Sequence, residues 1–211
     1  MGDSVVHDVP YFSQWASPEL VDSIVSRRIK AAEDPRWSEY GATSPEEYEW
    51  WSWRLCGVAC LRMALAFWKE YPLPSPMELA GECVESGAYV KKPDGLDGLI
   101  YAPFADYVRE RWTIQAEVRP ALTLSETSAQ IADGKLVMLS VHPSIRDLDN
   151  QPLRRGGHLV LAVGRTPGQI VIHNPSGFNG RSQKFAQIPE EAFEPFYANR
   201  GVILGSENSS E

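Results

Sequence analysis

Hydrophobic and polar residues change period near the middle of the chain. In the first half the apolar positions recur at helical spacing. Leu61, Ala64, Leu65 and Trp68, widened by Met63 and Phe67, predict a buried helix beginning near Cys56. Ser17-Pro18-Glu19 opens an earlier helix, with Ser as N-cap, Pro at the first position and an acid in the first turn. Leu20, Ile24 and Ile29 share parts of its apolar face, and Asp34-Pro35 ends it. Ser44-Pro45-Glu46-Glu47 repeats the signal as a capping box and predicts a second short helix into Tyr48, Trp50, Trp51 and Trp53. Pro72 and Pro74 break the pattern, Ser75-Pro76-Met77-Glu78 caps a further helix ending near Gly87, and residues 93–98 are turn-rich. One more helix follows, with Leu99, Phe104, Tyr107 and Val108 inward.

The second half reads as strands. Residues 114–118 alternate, 136–141 read as a buried strand, and 158–164 and 169–173 flank the turn Thr166-Pro167-Gly168 as a hairpin. A short helix over 125–132 stops at Asp133-Gly134. Phe185 marks a short strand, residues 189–191 a short helix, and Val202-Ile203-Leu204 a last strand. The order predicts an α+β fold, with a helical N-terminal lobe packed on a C-terminal antiparallel β-sheet lobe. Residues 1–205 are expected to form one domain and 206–211 a disordered tail.

Composition narrows the class. The 211 residues are 43% apolar, enough for a sizeable core. The formal net charge of -8 argues against a broad nucleic-acid surface or an anionic membrane surface. No apolar run is long enough to span a bilayer, and the start lacks the basic and apolar regions of a signal peptide. Three cysteines, Cys56, Cys60 and Cys83, are too few for a disulfide framework, so a reducing cytoplasm is expected. No zinc-ligand spacing is present, and no metal or cofactor is expected.

The candidate chemistry begins at Cys56. A thiol at a helix start meets unpaired N–H groups and the positive end of the helix, which favours thiolate; Gly57 allows close approach there. Alternatively Cys56 is a small buried hydrophobe. Gly156-Gly157-His158 puts a histidine at the opening of a strand, and the partner strand leaves at His173-Asn174-Pro175. His158 and Asn174 can be neighbours there, a base and an amide that fixes its tautomer. His173 is a competing base, though its side chain is expected on the opposite face. His7 and His142 read as structural or surface residues. Gln14 ends an extended segment, and its N–H with that of Cys56 could bind an oxyanion. Trp50, Trp51 and Trp53 are either core or the aromatic wall of a cleft.

Four motifs in order resemble the C39-like peptidases, papain-like cysteine peptidases related to the domains that cut leaders from bacteriocin precursors. They are residues 10–14, Pro-Tyr-Phe-Ser-Gln; residues 56–65, opening Cys56-Gly57; residues 157–164, opening Gly157-His158; and Asn174-Pro175-Ser176-Gly177. The resemblance implies a papain-like fold with Cys56 as nucleophile, His158 as general base, Asn174 as orienting residue and Gln14 as oxyanion donor. Trp15, Trp50, Trp51, Trp53 and Gly157 are the expected substrate contacts. Two departures stand out. The family usually has Asp at the Asn174 position, and residues 16–53 form a longer, Trp-rich helical insertion. The expected activity is peptidase or amidase chemistry through a thioester. Transfer of the acyl group to an amine, as in an acyltransferase of specialised metabolism, is the alternative, and a non-catalytic binding domain the third. The expected substrate is a peptide, acyl amide or thioester, free or held on a carrier protein, with no nucleic acid or membrane partner. The sequence does not fix the oligomeric state.

Overall fold

The computed structural model describes residues 3–93 and 95–206. The expected tail therefore lies outside the described residues except for Ser206, which ends a strand instead. The elements in order are β1 (Val5–Val6), α1 (Val21–Val25), α2 (Pro45–Ser52), α3 (Cys56–Phe67) and α4 (Pro76–Glu85). Then come β2 (Lys91–Lys92), β3 (Gly95–Leu96), α5 (Tyr101–Arg111), β4 (Ile114–Arg119), α6 (Leu124–Ala132) and β5 (Leu136–Val141). The chain continues through β6 (His158–Thr166), β7 (Gln169–His173), β8 (Ala186–Pro189), α7 (Glu190–Phe193) and β9 (Tyr197–Ser206). No helix among the described residues is long and apolar enough to cross a membrane.

One antiparallel sheet runs in the order β4-β9-β5-β6-β7-β8, with β1 paired to the start of the turn end of β6. Its two faces have separate cores. Leu136, Met138, Leu159, Leu161, Val202 and Leu204 pack toward α3, α4 and α5. Val137, Leu139, Val160, Ile172 and Ile203 pack on the other side against Ile131 of α6, Phe193 and Phe196. Burial on both faces explains why β5 is apolar at every position but Ser140 rather than alternating. The expected picture of helices on one side and sheet on the other is thus extended by a second, smaller helical cover.

Side-chain caps set three helix starts among the described residues, those of α2, α4 and α6. Ser75 and Glu78 make both halves of a capping box on α4, and Thr123 and Glu126 do the same on α6. Ser44 Oγ accepts from Glu47 N–H, but the Glu47 carboxylate turns to Thr43 rather than completing the box. The helix expected from Ser17 is broken into a 3-10 turn over Pro18–Leu20, the short α1, and a second 3-10 turn at Ala31–Glu33. Ser17 does not cap it. Its N–H and Oγ instead bond the two oxygens of Asp34, at 3.0 and 2.7 Å. Asp34 is fully buried and also accepts from Tyr48 Oη at 2.8 Å and Arg36 N–H at 3.0 Å. Tyr48 Oη in turn accepts from Ala16 N–H, and Tyr40 Oη reaches the carbonyls of Ser13 and Trp15. These bonds tie the insertion to the segment ending at Gln14.

Candidate active site

Cys56 is the first residue of α3. The preceding Leu55 has no capping side chain, so the first-turn N–H groups are left open at the thiol. α3 seats closely on the sheet because residue 57 is glycine. A Cβ there would stand 2.8 Å from Leu99 Cδ2 and 3.2 Å from Leu159 Cδ1, so the close neighbours are side chains rather than backbone. Cys56 is half-buried, whereas Cys60 and Cys83 are fully buried. Cys60 Sγ lies 3.8 Å from the Leu159 carbonyl, one turn further into the core.

His158 opens β6 after two glycines with φ of +84° and +99°, a left-handed path that side-chained residues adopt only at a cost. The β6–β7 hairpin then returns the chain, and Asn174 leaves β7 beside His158. His158 Nε2 lies 2.9 Å from Asn174 Oδ1. The same Oδ1 accepts from the backbone N–H of Ser176 at 3.0 Å. A backbone N–H can only donate, so it fixes which end of the amide faces the ring. Nε2 therefore carries the proton, and Nδ1 is left with its lone pair.

Two residues given no role in the sequence reading complete this cluster. Ser176 Oγ is 3.1 Å from His158 Nε2. Arg146, in the turn after β5, donates Nη2 to Ser176 Oγ at 2.8 Å and Nε to the Ser176 carbonyl at 3.2 Å. Ser176 was at least inside a motif; nothing near Arg146 marked it. His173 is engaged elsewhere: Nε2 meets the Val9 carbonyl at 2.8 Å and Nδ1 accepts from Phe185 N–H at 3.0 Å. His142 caps the turn at Ser144, and His7 meets the Ile131 carbonyl.

The charge states differ from the expectation for the thiol. Burial pushes the Cys56 thiol up. N–H groups of Leu159, Gly57 and Cys56 itself, together with the Arg146 charge, act toward thiolate but do not outweigh it. Burial first, then Arg146, hold His158 down at about 3, against the pull of Asn174. Arg146 is itself lowered to about 10 by burial. Burial thus disfavours the charged form of both groups. Cys83 is pushed up to about 12 by its burial.

Cys56, Gly157 and His158 line one cavity of about 250 Å³, with Trp53, Arg54, Leu99, Ser140 and Arg200 among its other walls. Of the expected aromatic contacts, Trp53 alone lines it; its ring is held by Glu49 at Nε1, by Arg27 stacked 3.9 Å away and by the edge of Trp15. Trp15 is 0% exposed and Trp51 5%; both lie in the core of the helical side and outside the lining of this cavity. Trp50 faces a neighbouring shallow groove with Arg27 and Glu49. Gln14 is buried outside the cavity lining: Nε2 donates to the Ser52 carbonyl at 2.8 Å, its backbone N–H to Pro175 at 3.0 Å, and Oε1 is left without a partner. Among the described residues no cluster of ligating side chains could hold a metal ion.

No curated protein matches the chain. A protein described as a C39-like peptidase from Bacillus anthracis superposes with a TM-score of 0.58 at 14% identity, covering 98% of this chain and 99% of that one. The peptidase domain of Streptococcus ComA, a bifunctional ABC transporter of a quorum-sensing pathway, gives 0.47 at 14% identity over 73% and 93% of the two chains. A double-glycine-motif protease from an AMS/PCAT transporter, solved with its leader peptide, gives 0.49 at 14% over 98% and 99%. The first of these supports the papain-like fold, and the model of the Peptidase_C39 like family matches residues 6–203, so the chain belongs to that family.

Proposed function

We propose that this chain is a cysteine peptidase or amidase in which Cys56 is the nucleophile, His158 the base, and Asn174 the residue that orients it. One observation carries the reading. Asn174 Oδ1, fixed by Ser176 N–H, commits His158 Nε2 and leaves Nδ1 as a base in the cavity that holds Cys56. In the reaction the Cys56 S–H proton passes to His158 Nδ1 as sulfur bonds the acyl carbon. The Cys56 N–H at the helix start receives the oxyanion, and the second Nε2–H of Gln14 is the candidate partner. His158 then returns the proton to the leaving amine as the C–N bond breaks, leaving a thioester. Water, deprotonated by the same nitrogen, releases the acid. An amine in place of water would make the chain an acyltransferase; no residue of the cavity favours that acceptor. A binding domain without catalysis would need neither the tautomer lock nor the half-exposed thiol. The three unpaired thiols support a reducing compartment.

Because burial disfavours charge on both reacting groups, in this reading the proton moves during attack rather than before it. Intact-mass analysis after incubation with a panel of peptide thioesters tests the reading. An acyl adduct on Cys56 that decays in water and is absent from Cys56→Ala is expected. Adducts confined to Cys60 or Cys83 overturn it.

A further inference from the structure

The charges around the cavity point to the class of acyl donor, an inference that rests on Cys56 being the nucleophile. Three charged side chains line the cavity: Arg54, Asp97 and Arg200. Asp97 is already neutralised by Lys92, Nζ to Oδ1 at 2.8 Å. Neither arginine has a carboxylate partner among the described residues. Arg54 stacks 4.1 Å over the Trp50 ring and donates to the Trp50 carbonyl, which fixes the guanidinium without cancelling its charge.

Arg200 is exposed, with its guanidinium at the edge of the cavity beside Gly156. Gly156 has φ +84°, and a Cβ on it would stand 3.1 Å from Arg200 Nη2 and 3.3 Å from Ser140 Oγ. The glycine therefore leaves one space that a guanidinium and a hydroxyl both face. Ser140 is 2% exposed, yet its hydroxyl makes no hydrogen bond among the described residues. Its oxygen is not sealed from solvent, so the free hydroxyl opens into the cavity that Ser140 lines with Arg200. The arginines come from different parts of the fold, Arg54 from the turn between α2 and α3 and Arg200 from β9. The chain as a whole is acidic, at -8, so long-range attraction does not gather anions here; only local charge does.

We infer that Arg200, the Ser140 hydroxyl and Arg54 form a carboxylate-accepting subsite, and that the acyl donor carries a carboxylate next to the bond Cys56 attacks. In a cavity of about 250 Å³ a carboxylate on one wall is necessarily close to the reacting carbonyl. Guanidinium and hydroxyl donors suit the two oxygens of a carboxylate. Either an acidic side chain or a chain terminus supplies that group.

Three small probes distinguish the sources: N-acetylglutamate amide (side-chain carboxylate), N-acetylglycine (terminal carboxylate) and N-acetylglutamine amide (neutral). Their binding is read by NMR titration of the Cys56→Ala protein, which is independent of thiol chemistry. One or both carboxylates should bind about tenfold more tightly than the glutamine amide, as expected for a charge-assisted contact. Arg200→Gln and Ser140→Ala should each weaken that binding several-fold, and Arg200→Lys should restore part of it. In the wild type, iodoacetate should alkylate Cys56 faster relative to iodoacetamide than it does in Arg200→Gln. Equal binding of the glutamate and glutamine amides, or no loss in Arg200→Gln, overturns the subsite even if Cys56 reacts. Carboxylate binding that persists while wild-type Cys56 fails to acylate removes the nucleophile reading and leaves the subsite standing.

Discussion

Asn174 holds the ring of His158 without contributing charge, and its own Nδ2 is buried with no partner. An aspartate there would replace that stranded donor with an oxygen and place a negative charge against the ring. Asn174→Ala should lower kcat by roughly 10- to 1000-fold, because an orienting residue is one step removed from bond making. Asn174→Asp should retain activity and raise the pKa of His158 from about 3, moving the acid limb of the pH–rate profile upward. Full activity in Asn174→Ala would return the assignment to another base. The His158–Asn174 pairing was legible because a hairpin register fixes which side chains meet. The state of the thiol was not: a helix start is visible in sequence, but the burial that outweighs it comes from tertiary packing that no local pattern records. Arg146 and Arg200 were silent for the same reason, since an arginine in a loop or at a strand's start has no period to betray its target.

Among the elements, α2 and α4 start at the caps read in the sequence, Ser44 and Ser75, whereas α3 starts without a side-chain cap and α6 starts one residue before its expected position, capped by Thr123. The Ser17 signal failed because a partner 17 residues away competes for the same hydroxyl. Asp34 thereby becomes the tie that holds the insertion's turns against the segment leading to Gln14. Its removal strands Ser17 N–H, Ser17 Oγ and Tyr48 Oη in the core. Asp34→Ala should therefore cost about 3 kcal/mol of stability, since unpaired buried donors carry their full desolvation penalty. Denaturant unfolding measures it, and a loss below about 0.5 kcal/mol, the range of surface substitutions, would show that the tie is incidental. The insertion's contribution to the cavity narrows to Trp53, whose ring is fixed by Glu49, Arg27 and Trp15. The tryptophans read together in sequence thus divide, since residues one or two apart on a helix point in different directions.

At the scale of the molecule, the site makes folding sensitive to acid. The folded chain keeps His158 neutral down to about 3, whereas an unfolded imidazole takes a proton near 6.5. Above about pH 6.5 both states carry the same charge on this group and its contribution is complete. As pH falls toward 3 the unfolded chain binds a proton the folded one refuses, and stability is lost, at up to about 1.4 kcal/mol per pH unit for one proton. The stability difference between wild type and His158→Asn should therefore shift against the wild type on going from pH 7 to pH 4. A shift in its favour would mean that the fold stabilises imidazolium. The sheet's overall class was readable from its apolar runs, but its strand order was not. β9 was visible only as three apolar residues, yet it lies between β4 and β5 and supplies Arg200. Synthesis runs from the amino end, so this has a consequence in time. A nascent chain translated only to Phe196 has every helix found among the described residues and the thiol, the imidazole and the amide in its sequence, but β4 lacks β9, its partner among the described strands, and one wall of the cavity has yet to leave the ribosome. The strand that joins the sheet across its gap is also among the last pieces of the site to be made.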